Sequence, residues 1–425
     1  MLVLNDIREN KTLMAERLAK RGIQDGAALL DQAIGLDDQR KQTKSELDAT
    51  LTESNTLAKQ IGMLMKEGKR DEAESIKART SELKSTSKEL SEQLSNIEQE
   101  LQALLYNIPN VPNELVPSGK NEDDNITTFT VDHLTELPAG SQPHWELIKE
   151  YDIVDFEMGV KVTGAGFPFY KGQGARMQRA LINFFLDEAI SAGYFEVQPP
   201  IVINEASGYG TGQLPDKEGQ MYHATADDLY LIPTAEVPIT NMYRDVILDE
   251  SQLPIKNVAH TPCFRREAGS WGAHVRGLNR LHQFDKVEIV HIEHPDNSYA
   301  ALKEMCDHVE SLLKKLNLPY RILRLCGGDL GFTSAITYDF EVYSAAQEKW
   351  LECSSVSNFE TYQSNRLKLR FKDKDNKKQL LHTLNGSALA LPRILAALLE
   401  NNQQADGIMV PEVLRPYTGF DKIVK

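Results

Sequence analysis

The chain has 425 residues and a formal charge of −15, and its length suggests about two or three domains. No run of about 18 apolar residues occurs, so no membrane span is expected, and the polar N-terminus MLVLNDIRENK is unlike a signal peptide. The acidic balance weighs against non-specific nucleic-acid binding but leaves room for a specific RNA partner met through a local basic patch. The four cysteines form no C-x-x-C pair, which favours reduced thiols in a cytoplasmic protein over disulfides or a zinc site.

Residues 37–106 are rich in Lys, Glu, Gln, Ser and Leu and carry the pattern of a coiled coil. Apolar or small residues recur at steps of three and four in two series. The first series is Leu47, Leu51, Ser54, Ala58, Ile61 and Met65, and the second is Ala73, Ile76, Thr80, Leu83, Ser87, Leu90, Leu94, Ile97, Leu101 and Leu104. Gly68, between them, can supply the positive φ that ends a helix. The pattern predicts a hairpin of two antiparallel helices, each about 50 Å long, within an N-terminal domain of residues 1–108.

Basic residues gather toward the predicted tip and second helix of this hairpin, with acidic residues between them. They are Lys59, Lys66, Lys69, Arg70, Lys77, Arg79, Lys84 and Lys88. The charges alone are explained equally well by a solvated face and by a face that contacts a polyanion. A long exposed hairpin with a basic side favours contact with the backbone of a large polyanion.

Residues 107–125 are rich in Pro, Asn and Gly and predict a linker, after which a second domain occupies residues 109–425. Helices are predicted at Ala175–Ala192, Ser298–Leu316 and Pro392–Asn402. Strands are predicted at Tyr230–Pro233, Val258–Glu267, Arg280–Ile292, Tyr320–Cys326, Ala335–Tyr343 and Trp350–Ser355. Because strands outnumber β-α-β units, we expect a mainly antiparallel sheet flanked by helices, which is an α+β fold.

The most informative segment is a pair of predicted strands joined by residues 268–277. Strand alternation places Arg265 and Glu267 on one face of the first strand. It places Arg280, Phe284 and Glu288 on one face of the second. A surface that holds two arginines, one aromatic ring and two carboxylates suits a nucleoside triphosphate and an amine. A solvated hairpin of mixed charge is the alternative.

This pair of strands resembles motif 2 of the class II aminoacyl-tRNA synthetases, in the form found in the bacterial-type seryl-tRNA synthetases. Three further segments extend the resemblance. They are the helix Ala175–Ala192 with Pro199 and Pro200, which resembles the dimer-interface motif 1; Thr234-Ala235-Glu236, which resembles the serine-binding loop; and Thr383–Ser387 with Pro392-Arg393, which resembles motif 3. The family more often has glycine where this chain has Ala388 and Pro392.

The resemblance implies an α+β class II catalytic domain that follows a helical tRNA-binding arm. It implies ATP-dependent ligation of L-serine to tRNA(Ser) through a seryl-adenylate, and serylation of tRNA(Sec) where that tRNA is present. Mg²⁺ would be the metal, no zinc is expected, and the protein would be a cytoplasmic homodimer.

The family's site residues carry over to matching positions of this chain. The catalytic residues would be Arg265, Arg393 and Glu352. ATP would be bound by Arg265, Arg266, Glu267, Phe284, Glu352, Cys353, Ser354, Ser355 and Arg393. Serine would be bound by Thr234, Ala235, Glu236, Arg265, Arg280, Glu288, Asn385 and Ser387, and Mg²⁺ by Glu352 and Ser355.

Other functions remain open at this point. One is a class II enzyme that activates another amino acid or serves another acceptor. A non-catalytic coiled-coil scaffold is the alternative from a different class, and it gives no reason for the arginines and carboxylates to occur together.

Overall fold

The computed structural model describes residues 1–268 and 276–425. Contacts between Cα atoms divide the chain into two compact units. The first, called the helical unit, comprises Leu2–Ala19 and Ile23–Pro109. The second, called the sheet unit, comprises Met1, Lys20–Gly22 and Asn110–Lys425.

Three helices form the helical unit: α1 Leu4–Ala19, α2 Gly26–Lys66 and α3 Arg70–Asn107. A short turn that contains Gly68, with a φ of +79°, joins α2 to α3. The predicted antiparallel hairpin is therefore confirmed. The helix α2 begins at Gly26, well before the residue 37 that the heptad pattern indicated.

The seam of the hairpin follows the predicted pattern on α3 but only half of it on α2. On α3 the buried residues include Ala73, Thr80, Leu83, Ile97 and Leu101, followed by Leu105 rather than Leu104. On α2 the residues that face inward are Thr43, Leu47, Thr50, Ser54, Leu57, Ile61 and Leu64. The predictions for Leu51 and Met65, which are 42% and 47% exposed, and for Ala58, which is also exposed, were wrong. At three steps of α2 the predicted residue has a neighbour that can also face inward, Thr50 before Leu51, Leu57 before Ala58 and Leu64 before Met65, so the pattern left the choice between a three-residue and a four-residue step open.

The sheet unit contains both helices and strands. Its helices are α4 His144–Glu150, α5 Phe156–Val162, α6 Gly172–Ser191, α7 Glu205–Thr211, α8 Glu236–Asn241, α9 Ser298–Lys315, α10 Tyr362–Leu367, α11 Leu391–Asn401 and α12 Arg415–Thr418. Its longer strands are β1 Ile126–Thr130, β9 Ile255–Phe264, β10 Gln283–Glu293, β11 Tyr320–Arg324, β12 Ile336–Ser344, β13 Lys349–Asn358 and β16 His382–Ala390. Its short strands are β2 Val154–Asp155, β3 Phe169–Tyr170, β4 Phe195–Glu196, β5 Val202–Asn204, β6 His223–Ala224, β7 Leu229–Leu231, β8 Ile247–Asp249, β14 Arg370–Lys372, β15 Lys378–Leu380, β17 Gln403–Gln404, β18 Gly407–Met409 and β19 Lys422–Ile423.

The main sheet has the strand order β1-β11-β12-β13-β16-β10-β9-β4. Its pairs are antiparallel except for β4 with β9, which is parallel. The predicted α+β fold, with a mainly antiparallel sheet and flanking helices, is confirmed.

The two faces of the main sheet bury different side chains. On β10, Val287 and Ile289 belong to the large core that includes residues of α6, α9 and α11. The alternate residues Glu288 and Val290 face the other side, where Val290 joins a smaller cluster with Ala235 of the segment before α8. Because strand side chains alternate, the packing of one face against helices directs Glu288 away from the large core.

None of the described helices is both long and apolar enough to cross a lipid bilayer. The four cysteines are free thiols, as the sequence predicted, and Cys263, Cys326 and Cys353 are buried.

Candidate active site

Two buried carboxylates form the centre of the candidate site. Glu236 begins α8 and Glu288 lies on β10, and these residues are 5% and 0% exposed. The Asn385 amide joins them, with Nδ2 at 2.8 Å from Glu236 Oε2 and 3.0 Å from Glu288 Oε1. The Ser387 hydroxyl donates to Glu288 Oε2 at 3.3 Å. Four residues predicted to bind serine thus meet from three separate segments of the chain.

The register between β10 and β16 explains how these polar groups come together. Glu288 is paired with Ser387, and Val290 with Asn385. Asn385 and Ser387 are two positions apart, so they share the face of β16 on which Glu288 lies. Asn385 and Ser387, both predicted to bind serine, therefore approach Glu288 from one face of β16.

The environment of Glu236 favours its neutral form when no ligand is present. Burial raises the pKa of Glu236 to about 7, against the opposing hydrogen bond from Gln363, and the nearby Glu288 carboxylate adds to the rise. The Gln363 amide Nε2 lies 2.6 Å from Glu236 Oε1. A cation that enters beside Glu236 would favour the ionised carboxylate.

Lys286 supplies a positive charge within this cluster. It is buried on β10, and its Nζ lies 2.6 Å from Glu288 Oε2 and 2.9 Å from Thr234 Oγ1. Lys286 thus bridges Thr234 and Glu288, two of the residues predicted to bind serine. Ala235 is fully buried, and its methyl group packs among apolar side chains.

The strands of the motif 2 resemblance are shorter than predicted. Since β9 ends at Phe264 and β10 begins at Gln283, Arg265, Glu267 and Arg280 all lie outside the strands. The prediction that strand alternation sets their faces was wrong. The Phe264–Gln283 pair is the last of the β9–β10 ladder, and Glu267 already has a φ of +47°.

The residues that leave the strands still converge. The Arg265 guanidinium Cζ lies 5.4 Å from the centre of the Phe284 ring. Arg280 Nη1 lies 2.9 Å from Glu267 Oε2. Arg266 is exposed, and its backbone N–H donates to the carbonyl of Gln220. Of the predicted loop between the strands, residues 269–275 lie outside the described residues.

A second cluster of carboxylates lies on the hairpin formed by β12 and β13. Asp339 is paired with Ser355, and Glu341 lies directly opposite Glu352. The Ser355 side chain hydrogen-bonds to Asp339, but burial, together with the Glu352 charge, raises the pKa of Asp339 well above its ordinary range. The Oδ1 atom of Asp339 is buried without a hydrogen-bond partner in the described structure. Like charges that face each other across strands repel. Arg321 already pairs with Glu341, so a further cation would mainly stabilise Glu352 and Asp339.

Arg393 lies in the first turn of α11 beside this hairpin. Its Nη1 donates to the carbonyl of Glu352 at 2.6 Å and lies 3.4 Å from Glu352 Oε2. Its Nε donates to the carbonyl of Asn279 at 3.1 Å. An arginine at a helix N-terminus is electrostatically unfavourable unless an anion is present, and the Glu352 carboxylate is such an anion beside Arg393 in the described structure.

Cys353 and Ser354 differ from their neighbours on β13. The buried Cys353 thiol donates to the carbonyl of Phe340 at 3.3 Å, so this side chain belongs to the core. The buried Ser354 hydroxyl donates to the carbonyl of Ser387 at 2.5 Å. Contacts of these two residues with a nucleotide would therefore be made by the backbone.

Comparison with known proteins shows which protein family this chain resembles. Residues 1–112 match the family model of the seryl-tRNA synthetase N-terminal domain, and residues 221–402 match that of the tRNA synthetase class II core domain (G, H, P, S and T). The chain is 50% identical to the serine--tRNA ligase of Salinibacter ruber over 425 residues, which is 100% of this chain and 99% of that protein. The chain belongs to the seryl-tRNA synthetase family. It is also 47% identical to the serine--tRNA ligase of Akkermansia muciniphila, over 100% of this chain and 99% of that protein.

Solved seryl-tRNA synthetases share the fold. The crystal structure of the Pyrococcus horikoshii seryl-tRNA synthetase complexed with ATP matches with a TM-score of 0.91 at 33% identity, over 100% of this chain and 99% of that one. The cytoplasmic serine-tRNA ligase of Naegleria fowleri in complex with AMP matches with a TM-score of 0.86 at 26% identity, with the same coverage.

In this member of the seryl-tRNA synthetase family, four polar residues of the two clusters were not predicted from the sequence: Lys286, Gln363, Asp339 and Glu341. Lys286 could have been found, because it precedes Glu288 by two positions and so shares its strand face. Asp339 and Glu341 alternate on the strand that pairs with β13. No pattern in the sequence pointed to Gln363, which reaches Glu236 from α10.

The donor set on β12 and β13 fits a magnesium ion. It consists of carboxylate and hydroxyl oxygens, and Mg²⁺ takes one or two carboxylates from the protein and the rest of its ligands from phosphates and water. Among the described residues no group of three or more His, Cys, Asp and Glu side chains forms a cage for a metal ion. Such a partial oxygen set, with the partnerless Asp339 Oδ1, suits an ion that arrives with a nucleotide.

Proposed function

We propose that this chain joins L-serine to tRNA(Ser) in two steps that consume ATP. The observation that carries the proposal is the pair of buried carboxylates, Glu236 and Glu288, joined by the Asn385 amide. Buried carboxylates require a cationic partner or hydrogen bonds. Lys286 already pairs with Glu288, whereas Glu236 accepts from the Gln363 and Asn385 amides, so the ammonium group of an amino acid would supply a cationic partner for Glu236. The ATP and AMP named with the two solved relatives support a nucleotide as the second substrate.

In the first step, a carboxylate oxygen of serine attacks the α-phosphorus of ATP, a P–O bond forms, and pyrophosphate leaves. The serine carboxylate is ionised at neutral pH, so no general base is required, and catalysis depends on positioning and charge stabilisation. Arg265 would stabilise the α-phosphate, while the Phe284 ring would stack on adenine and Glu267 would lie near its amino group. Arg266 would add a further positive charge beside the nucleotide.

The serine pocket would be formed by the cluster around Glu288. Glu236 would hold the ammonium group, and Arg280 the carboxylate before it attacks. Glu288 and Ser387 would bind the hydroxyl group or the ammonium, with Thr234, Ala235 and Asn385 completing the wall. A site that hydrogen-bonds a substrate hydroxyl rejects an analogue without it strongly, so alanine would be discriminated against.

Glu352 and Ser355 would hold Mg²⁺, and Arg393 the γ-phosphate. When bound, the ion would neutralise phosphate charge. Asp339 and Glu341 lie close enough to Ser355 and Glu352 to support this donor set.

In the second step, a terminal ribose hydroxyl of the tRNA attacks the seryl carbonyl, an ester bond forms, and AMP leaves. We propose that residues 1–108 form the tRNA-binding arm, with a coiled-coil hairpin at about residues 37–106, and that residues 109–425 form the catalytic domain. Where tRNA(Sec) is present, the same reaction would serylate it. The protein would act in the cytoplasm as a homodimer.

Pyrophosphate exchange into ATP without tRNA tests the first step. The assay compares serine with threonine, alanine and glycine, and serine-specific exchange is the expected result. Exchange with another amino acid would identify a different class II activating enzyme. No exchange with any of the four would contradict the proposal. If exchange is specific for serine, charging of purified tRNA(Ser) tests the acceptor.

A further inference from the structure

A buried histidine outside the proposed substrate contacts makes hydrogen bonds to two distant segments. His144, the first residue of α4, and Glu400, on α11, are both 0% exposed. The His144 Nδ1 atom and the His144 backbone nitrogen lie 2.8 Å and 2.9 Å from Glu400 Oε1. The Leu278 backbone N–H donates to His144 Nε2 at 2.9 Å. Because Nε2 accepts, the ring hydrogen is on Nδ1 and is donated to Glu400.

Glu400 is fixed by further hydrogen bonds. The Ser344 hydroxyl donates to its Oε2, and Gln347 Nε2 lies 3.1 Å from its Oε1. Burial alone would raise the pKa of Glu400, but the hydrogen bonds from His144 and Ser344 outweigh it and keep the pKa below its ordinary value. Glu400 is therefore an ionised acceptor that orients the imidazole ring.

Residues 276–279, which lead from the loop into Arg280, are held by three consecutive residues of α4. The Arg276 guanidinium lies 4.8 Å from the centre of the Trp145 ring, and its Nη2 lies 3.0 Å from Glu146 Oε1. Gly277 has a φ of +65°, and a Cβ atom there would lie 2.3 Å from His144 Nε2. The backbone at Gly277 thus lies directly against the imidazole, which requires glycine.

The held segment ends at groups of the proposed active site. The carbonyl of Asn279 accepts from Arg393 Nε at 3.1 Å, and the Asn279 side chain donates to Gln347 at 3.1 Å. The next residue, Arg280, pairs with Glu267. A shift of this segment would therefore displace the Asn279 carbonyl that accepts from Arg393, and it would also displace the backbone of Arg280.

We propose that His144 is a positioning residue for amino acid activation: as an acceptor at Nε2 it fixes residues 276–279, and thereby Arg393 and Arg280. The inference rests on the proposed function. His144 itself contacts no substrate in this scheme. Its effect is on the geometry of the arginines that bind the phosphates and the serine carboxylate.

The test compares His144→Gln with His144→Asn in the full chain. The Gln amide can present an oxygen near the position of Nε2 and accept from Leu278, whereas the shorter Asn amide can reach only Glu400. We expect H144N to lower kcat for pyrophosphate exchange by about ten-fold to a hundred-fold, the range expected for misplacement of catalytic groups. The KM for ATP should rise more than the KM for serine, since Glu236, Glu288 and Ser387 lie on other elements. H144Q should recover most of the activity.

A matched control separates positioning from stability. His291 is also fully buried, on β10, with Nε2 2.9 Å from the Tyr194 hydroxyl. H291Q should lower the thermal unfolding midpoint without the rise in KM for ATP. Equal activity of H144Q and H144N, or a change in KM for ATP that H291Q shares, would overturn the inference. Absence of exchange in the native chain would instead overturn the proposed function, and the inference with it.

Discussion

Arg265 is the residue on which the proposed activation step depends most. It lies just beyond the end of β9, and its guanidinium packs near Phe284. We expect Arg265→Ala to lower pyrophosphate exchange by at least about a hundred-fold, because it removes charge stabilisation from the transition state. The fold should persist, since a partly exposed cation–π contact contributes only about 0.5–1 kcal/mol.

Thermal unfolding of Arg265→Ala checks that the fold persists in this variant. The control is Arg70→Ala, because Arg70 is exposed at the start of α3. This variant should leave exchange unchanged. Full exchange activity in a folded Arg265→Ala variant would contradict the role assigned to this residue.

Glu236 predicts a pH dependence for serine binding. Its pKa of about 7 lies above the ordinary value of 4.5 because of burial and the Glu288 charge. As the pH falls below about 7 the carboxylate becomes protonated and loses its attraction for the ammonium group, so the KM for serine should rise. The folded, ligand-free protein binds this proton more tightly than the unfolded chain, so this group increases stability as the pH falls from above 7 toward 4.5.

Exchange measured between pH values on both sides of 7 tests this expectation. Glu236→Gln should bind serine more weakly and lose this part of the pH profile. An unchanged profile in that variant would assign the titration to another group.

At the scale of single elements, the β12–β13 hairpin predicts a metal requirement. Glu341 and Glu352 face each other across the strands, and Asp339 is half-buried beside Ser355. Removal of divalent cations with EDTA should abolish exchange, because the phosphate charge would no longer be neutralised. Glu352→Gln should raise the Mg²⁺ concentration needed for half-maximal exchange by about ten-fold.

The matched control is Glu348→Gln, in the turn that connects the same two strands. It should leave the Mg²⁺ dependence unchanged. The same midpoint in the Glu352 and Glu348 variants would remove Glu352 from the metal site.

At the scale of the whole molecule, the two units should have separable functions. Lys69, Lys77 and Lys84 are exposed on the α2–α3 hairpin. Changing all three to Ala should weaken tRNA binding and reduce the salt dependence of binding by about one unit of slope for each phosphate that the variant no longer neutralises. Pyrophosphate exchange, which needs no tRNA, should be unaffected.

Acidic residues of α3 provide the control for that triple variant. Glu72 and Glu89 are exposed, and changing them to Ala should not weaken tRNA binding. Failure of charging in both sets of variants would indicate damage to the hairpin rather than removal of charges that bind phosphate.

Exposed apolar residues of the sheet unit give a further prediction about assembly. Phe195 is 70% exposed on the edge strand β4, close to the end of α6 in the segment that resembles the dimer-interface motif. Ile190, Ile201 and Val202 of the same stretch are also exposed, and several exposed apolar side chains in one segment favour a protein interface. Phe195→Asp should therefore shift the mass measured by analytical ultracentrifugation from dimer to monomer. Phe129→Asp, on the opposite edge strand β1, is the control and should remain dimeric.

Much of the chain's organisation follows from local patterns in the sequence. The helix predicted at Ser298–Leu316 is observed at Ser298–Lys315, and the strand predicted at Ala335–Tyr343 is observed at Ile336–Ser344. The period of the apolar residues in a long segment indicates whether the segment is a helix or a strand, because one face of it must be buried. The resemblance pointed to Glu288, Asn385 and Ser387, which meet through hydrogen bonds in the structure.

Only the tertiary structure decided between residues that local sequence patterns do not distinguish. The choice between Leu51 and Thr50 on the seam of α2 depended on the facing helix. The ends of β9 and β10 depended on where their ladder stopped pairing, which left Arg265 and Arg280 outside the strands. The partners of Glu236 and His144 come from segments remote in sequence, Gln363 and Glu400, and a side chain buried by distant segments leaves no periodic signal. The sequence by itself therefore determined the fold class and pointed to Glu236, Glu288, Asn385 and Ser387, whereas the register, the supporting hydrogen bonds and the positions of Lys286 and Gln363 were decided by packing between distant elements.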